Sequence, residues 1–169
     1  SNLGAGAVAL IESSTIVNNT ANGTGAGGGI GTNTTATAGT IEIVNSIISG
    51  NTAVGAGGED INLGNAGVTV NINNSAYFDA NGFTANGSNN LIGQDLKLAA
   101  TLEFNGGLTK TILPANDSPL INAGTDTSPL TTDQRGFARL SGSKVDIGAV
   151  EVQPDATVTA IVVNNSAIQ

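Results

Sequence analysis

The sequence predicts an all-β solenoid in which short parallel strands stack in successive coils, and a repeated phrase is the first reason. Residues 14–21, Ser-Thr-Ile-Val-Asn-Asn-Thr-Ala, align with residues 46–53, which lie 32 positions further on. A weaker third copy begins at Asn74-Ser75, 29 positions after Asn45-Ser46. Self-similarity at a fixed period of this length is typical of solenoids, in which each repeat packs only against its neighbours.

The composition is the second reason, because it favours strands over helices. Each repeat contains runs of β-branched residues only a few positions long, set among Gly and Asn. Such runs are typical of strands bounded by turns, whereas Gly and Asn are poor helix formers. With 39 % hydrophobic but only 3 % aromatic residues, the core must consist of Ile, Val, Leu and Ala. Helical repeats are therefore excluded.

The strand-like runs predict the elements of residues 1–97 in order, as about three regular coils. They are Val8–Ile11, Thr15–Val17, Thr40–Val44, Ser46–Ile48, Val68–Ile72 and Ala76–Phe78. The segments between them carry the Gly, Asn and Thr that turns require. If one repeat is one coil, each strand pairs in parallel with the equivalent strand of the next coil.

This alignment predicts which side chains lie above one another. The predicted interior stack consists of Ile16, Ile48 and Phe78. The predicted corner ladder, in which side-chain amides bond from coil to coil, consists of Asn19, Asn51 and Asn81. Stacked Asn side chains form such ladders in cross-β assemblies, although Asn is also a common turn residue that needs no ladder.

Charge and cysteine content exclude several classes of partner and chemistry. The net charge of −8 and the pI near 4.1 disfavour binding to nucleic acid or to an anionic membrane surface. Cysteine is absent, which excludes disulfides and zinc–thiolate sites. No apolar run reaches the length of a membrane span, so we expect no membrane insertion.

The first 96 positions contain acidic residues but no basic residue, because all five basic residues follow position 96. The pair Glu59-Asp60 lies beside a Gly-rich turn whose carbonyl groups are further oxygen ligands for Ca²⁺. We therefore name Glu59 and Asp60 as a candidate calcium site, with solvated surface carboxylates as the alternative. The Gly-Gly-x-Gly-x-Asp repeat of calcium-binding β-rolls is absent, and we expect no other cofactor.

After Asn90 the repeat gives way to five distinctive phrases. They are NLIG (90–93), NGGLTKT (105–111), LPANDSPLINAG (113–124), DQRGFAR (133–139) and DIGAVE (146–151). This part of the chain resembles the C-terminal part of the choice-of-anchor Q domain family, the right-handed parallel β-helix modules of large secreted or surface-anchored bacterial proteins. Asn122 and Val150 depart from the family pattern, which usually has Asp and Phe there.

The resemblance implies a right-handed, single-stranded parallel β-helix in an extracellular or cell-surface setting. Residues 98–152 are then predicted to form an irregular terminal coil and cap over the end of the solenoid, since three prolines, Pro114, Pro119 and Pro129, disfavour further strands. The residues of the predicted closing motif are Asp133, Arg135, Phe137, Arg139, Asp146 and Glu151.

Two arginines of the closing motif lie near several acidic residues in sequence. We expect Arg135 and Arg139 to form a buried or half-buried ion-pair cluster with Asp126, Asp133 and Asp146, because guanidinium groups suit bidentate carboxylate pairing. A ligand site is the alternative.

The sequence indicates a structural role and no enzyme activity. Histidine is absent, and the coils before Lys97 contain no Lys or Arg to serve as a catalytic base. Glu12 and Glu42 lie close to one period apart, but the strand alignment pairs Glu12 with Val44. We therefore predict an adhesin-like module, a stalk or a fibre subunit.

The alternatives are a carbohydrate-binding β-helix, with surface glycans as partners, or a polysaccharide lyase or hydrolase. Both are less favoured. The chain has one Tyr, four Phe and no Trp, so aromatic platforms for sugars are scarce.

The last prediction concerns self-assembly. Nothing before Val8 resembles a capping helix, so we expect the first coil to be open. In a complete subunit, a strand near the C-terminus would add to the open coil of another subunit and form a head-to-tail filament. That strand is Thr157-Val158-Thr159-Ala160-Ile161-Val162-Val163. In an excised fragment, adjoining domains would cover the open coil and residues 153–169 would be a linker.

Overall fold

The computed structural model describes residues 6–22, 27–32, 38–54, 60–64, 67–81 and 84–154, and within them every regular element is a β-strand. The strands are β1 (Val8–Glu12), β2 (Thr15–Val17), β3 (Thr20–Ala21), β4 (Ile30–Thr32), β5 (Thr40–Val44), β6 (Ile47–Ser49), β7 (Thr52–Ala53), β8 (Ile61–Leu63), β9 (Thr69–Asn73), β10 (Ala76–Tyr77), β11 (Ala80–Asn81) and β12 (Leu91–Ile92). No helix among these residues is long and apolar enough to cross a membrane.

The strands form four sheets in which every pair is parallel. The orders are β1-β5-β9, β2-β6-β10-β12, β4-β8-β11 and β3-β7. We call residues 8–32 the first repeat, 40–63 the second and 69–81 the third. Each repeat contributes one strand to each larger sheet, and the short segment 84–92, the fourth repeat, adds β12. The predicted all-β class, with parallel strands in stacked sheets, is confirmed.

The third repeat is shorter than the first two. β10 ends at Tyr77 and β11 begins at Ala80, so the chain turns directly from one strand to the other. As a result Ala80 lies opposite Ile61, and the third repeat has no counterpart of β3 and β7. The repeats therefore agree closely along the first two sheets and diverge afterwards.

The interior between the sheets is filled by apolar, mostly aliphatic side chains from alternate strand positions, as a pleated strand requires. The buried members of this interior cluster are Ile41, Ile43, Ile48, Ile61, Leu63, Val68, Val70, Ile72 and Tyr77. All of them except Val68, which directly precedes β9, come from the second and third repeats. Ile11, Ile16 and Ile30 of the first repeat pack against the cluster but are only partly buried.

The predicted interior stack needs one correction. Ile16 lies opposite Ile48, as predicted, but the residue opposite Ile48 on the other side is Tyr77. Phe78 is 60 % exposed. The second and third repeats are offset by 29 residues here, and a shift of one residue turns a strand side chain to the opposite face.

The C-terminal part of the chain lies along the side of the stacked sheets. Ile47 and Ala76 point away from the interior and pack against Leu96, Leu120 and Ile147 in a second buried cluster. The expected cover over the end of the solenoid is therefore found instead on the outer face of the β2-β6-β10-β12 sheet. An apolar outer face explains this placement, because it must be shielded from water.

Candidate interaction surfaces and the buried polar network

The corners after the first sheet share an uncommon backbone conformation. At each of them one residue has φ between 46° and 59°, in the left-handed region. These residues are Ser13, Asn45, Asn74 and Asn89. Asn tolerates this region better than other residues with a Cβ, because its short polar side chain bonds locally. The corner sequence thus directs the chain from β1, β5 and β9 into the next strand or bridge.

The residues after these corners form a ladder of hydrogen bonds that runs through the four repeats. The backbone N–H of Ser14 donates to Ser46 Oγ at 3.1 Å, and that of Ser46 donates to Ser75 Oγ at 3.1 Å. The N–H of Ser75 donates to Asn90 Oδ1 at 3.0 Å. We call this set the serine ladder. The sequence signal for the serine ladder was the repeated dipeptide at Asn45-Ser46 and Asn74-Ser75. The prediction of an Asn ladder did not use this signal.

The predicted Asn ladder is present between the first two repeats only. Asn51 Oδ1 accepts from both the backbone N–H and Nδ2 of Asn19 at 3.0 Å. The next member is Asp60, whose Oδ1 accepts from Asn51 N–H at 3.0 Å and from Asn51 Nδ2 at 2.9 Å. Asn81 lies in β11 opposite Asn62. The third member was wrongly predicted, because the third repeat takes the shorter path to β11.

Asp60 is buried and its carboxylate is engaged on both oxygens. Besides the bonds from Asn51, its Oδ2 accepts from Phe78 N–H at 2.9 Å. Its own N–H donates to Asp79 Oδ1 at 3.1 Å. Glu59, the other member of the candidate calcium site, lies outside the described residues. Within the described residues, no group of three or more acidic side chains is placed to hold a metal ion. Calcium binding at this pair stays a prediction.

The closing motif forms a buried polar network centred on Asp133. Asp133 Oδ2 and Arg135 Nη2 form an ion pair at 2.8 Å, with side chains 0 % and 6 % exposed. Asp133 Oδ1 accepts from the N–H groups of Arg135 and Phe137, and Oδ2 accepts from Glu151 N–H at 3.0 Å. The guanidinium of Arg135 also lies 4.7 Å from the centre of the Phe137 ring. This carboxylate therefore fastens three separate points of the irregular segment.

Asp146 and Glu151 use their carboxylates in the same way. Glu151 accepts from Ser141 N–H at 3.0 Å and from Asp146 N–H at 2.8 Å. Asp146 accepts from Asn122 N–H and Val152 N–H, both at 2.7 Å. Burial raises the pKa of both carboxyls, while these amide bonds act in the opposite direction.

Arg139 joins the C-terminal segment to the first repeat. It is 3 % exposed, and its Nη2 donates to Ser13 Oγ at 3.2 Å and to the carbonyl of Asp146 at 2.9 Å. Its Nε and Nη1 are buried and have no hydrogen-bond partner. Burial lowers the pKa of Arg139, and the surrounding carboxylates act against that shift. Asp126, expected in the same cluster, is exposed.

A cavity of about 860 Å³ lies over the first repeat, beside Arg139. Its lining includes Ile11 and Ile16 of the first repeat and Leu130 and Arg139 of the C-terminal segment. Ser14, Thr15, Thr132 and Gln134 add hydroxyl and amide groups. The cavity therefore combines an apolar surface with hydrogen-bonding groups.

The predicted self-assembly strand, residues 157–163, lies outside the described residues.

No family model, no curated protein and no solved structure matches the chain.

Proposed function

We propose that this chain is a non-catalytic structural module, a right-handed parallel β-helix that serves as a stalk, adhesin segment or fibre subunit outside the cell. The observation that carries the proposal is the parallel pairing of equivalent strands at a nearly constant spacing. Ser14 bonds to Ser46 across 32 residues, and Ser46 bonds to Ser75 across 29. Stacking of this kind gives a rigid rod whose length grows with the number of repeats.

Two arguments support the right-handed course. The chain leaves β1, passes through β2 to β4 and returns to the same sheet at β5, parallel to β1. Connections between parallel strands of one sheet are right-handed in about 98 % of cases. The five phrases between residues 90 and 151, which resemble a family of right-handed β-helices, agree with this hand.

The use of the buried acidic residues supports a structural role. Asp60, Asp133, Asp146 and Glu151 all accept hydrogen bonds from backbone N–H groups on both carboxylate oxygens. A carboxylate that acts in hydrolysis has to reach the substrate or its water. These four side chains instead fix the path of the main chain.

Surface labelling of the source cells tests the proposed function. An antibody raised against this chain should label intact cells, and external protease should remove the label. The purified chain should release no reducing or unsaturated sugar from a panel of polysaccharides. Labelling only after permeabilisation would reject the extracellular setting, and sugar release would reject the non-catalytic role.

A further inference from the structure

The two ends of the stacked repeats expose the same column of interior residues. In register order, the column is Ile16, Ile48, Tyr77 and Ile92. Its middle members are buried, with Ile48 at 0 % and Tyr77 at 6 % exposure. Ile16 is only partly buried, and Ile92 is 54 % exposed. Among the described residues, each end of the column therefore has an apolar neighbour on one side only.

The serine ladder is also incomplete at both ends, and the missing partners are complementary. The hydroxyl of Ser14 donates to the carbonyl two residues earlier at 2.8 Å, as those of Ser46 and Ser75 do. Ser46 and Ser75 then accept an N–H from the preceding repeat. Ser14 Oγ thus has the same orientation, but the described residues include no preceding repeat whose N–H could donate to it. At the other end, Asn90 occupies the position whose N–H would continue the ladder.

The backbone pairing shows the same complementarity. Ile47 N–H donates to the carbonyl of Ser14, Ala76 N–H to that of Ser46, and Leu91 N–H to that of Ser75, each at 2.8–2.9 Å. Continued by one step, this series pairs Thr15 N–H of another copy with the carbonyl of Asn90. The two ends then match in hydrogen bonds and in the apolar column.

Charge and shape at the two ends permit the contact. The fourth repeat, residues 84–92, contains no charged residue, and Glu12 is the only one in residues 6–22. Although each chain has a net charge of −8, contact between these two ends therefore brings no cluster of carboxylates together, and charge repulsion there is small. The cavity of about 860 Å³, which lies over the first repeat, leaves space beside Ser14 and Ile16 for a docked turn.

We propose that the fourth repeat of one copy of this chain docks on the first repeat of a second copy, so that Ile92 stacks on Ile16 and Asn90 on Ser14. The contact is head-to-tail, and it generates a filament if the rotation between copies does not close a ring. The inference rests on the proposed structural function, and it names a second copy of this chain as the partner. It uses only described residues and does not need residues 157–163.

Cysteine cross-linking tests the contact directly, because the native chain has no cysteine. An equimolar mixture of Ile16→Cys and Ile92→Cys chains, one carrying a mass tag, should give a disulfide-linked heterodimer on mild oxidation. Parallel neighbours in register lie within disulfide reach. Leu102→Cys, at 52 % exposure against 54 % for Ile92, is the matched control and should give no heterodimer with Ile16→Cys. Equal yields from both pairs would overturn the proposal.

Light scattering over a concentration series supplies a second readout that does not depend on Ile16. Ile92→Asp places an unpaired carboxylate in the apolar column and should weaken self-association by about tenfold or more, whereas Leu102→Asp should leave it unchanged. Circular dichroism spectra of both variants should match that of the wild type, which checks that they fold. A wild-type chain that stays monomeric throughout overturns the stacking contact but leaves the structural function standing. Failure of surface labelling rejects that function and leaves the cross-link result valid.

Discussion

Tyr77 lies opposite Ile48 in the parallel pairing of β10 with β6, and both side chains point into the interior. The next residue, Phe78, is 60 % exposed. The register at the centre of the fold therefore places Tyr77, and not Phe78, opposite Ile48.

Ile48→Asp should abolish folding. The side chain is 0 % exposed, and an unpaired buried charge costs several kcal/mol in a domain stable by roughly 5 to 15 kcal/mol. Phe78→Asp is the matched control, and its effect should stay within about 0.5 kcal/mol, as is usual for surface positions. Thermal unfolding followed by circular dichroism distinguishes the two. Native melting of the Ile48→Asp protein would show that the assigned register is wrong.

Asn45→Gly should destabilise the protein by about 1–3 kcal/mol. Asn45 is buried, its Nδ2 donates to the carbonyl of Thr125 at 2.7 Å, and its Oδ1 accepts from Thr125 N–H at 2.8 Å. Glycine keeps the left-handed backbone but leaves both groups of Thr125 unpaired.

Asn74→Gly is the control for this effect, because Asn74 has nearly the same φ of 48°, but within the described part of the chain its side chain makes only an exposed 3.4 Å bond, with Asn89. Urea titration of both variants gives the comparison. Equal losses of stability would mean that the bonds to Thr125 do not hold the C-terminal segment in place.

The stability of the protein should depend on the protonation of Glu151. Burial raises its pKa in the folded state, so its contribution to stability is complete below about pH 4 and declines as the pH rises through the raised value. Glu151→Gln removes the titration. The wild type should therefore exceed the variant in melting temperature by more at pH 4 than at pH 7. A difference that increases with pH would contradict the direction of the pKa shift.

Calcium binding by Glu59 and Asp60 predicts a melting temperature that rises with millimolar Ca²⁺ and falls with chelator. In Asp60→Asn the rise should disappear. Because the carboxylate of Asp60 accepts N–H bonds from Asn51 and Phe78, binding of the ion should also change the amide resonances of those residues. Identical melting with calcium and with chelator would remove the calcium prediction.

The sequence predicted the first two sheets well because their residues recur at a constant spacing. The runs at Thr15–Val17 and Thr40–Val44 have the same bounds as β2 and β5. The Asn-Ser dipeptides at positions 45 and 74 identify the corners. Strand pairing there depends on local residue pattern, which a single sequence displays.

The third repeat and the C-terminal segment were harder to predict because long-range packing determines them. The shortcut from Tyr77 to Ala80 removes one strand, so spacing no longer identifies equivalent residues such as Asn81. The doublet Ile47-Ile48 did carry a signal for the C-terminal segment. Two adjacent apolar residues in one strand indicate that both faces are covered, but they do not identify the residues that cover the outer face.

The central claim is that successive repeats pair in parallel and in register, and one disulfide tests it most directly. Thr20 and Thr52 lie opposite each other in β3 and β7, with their hydroxyls 3.0 Å apart. The variant Thr20→Cys with Thr52→Cys should oxidise to an intramolecular disulfide in the folded monomer, seen as a mass loss of about two hydrogens. Thr20→Cys with Ala53→Cys, whose side chains point to opposite faces, should stay reduced. Failure of the first pair to close, or equal closure of the second, would contradict the parallel register.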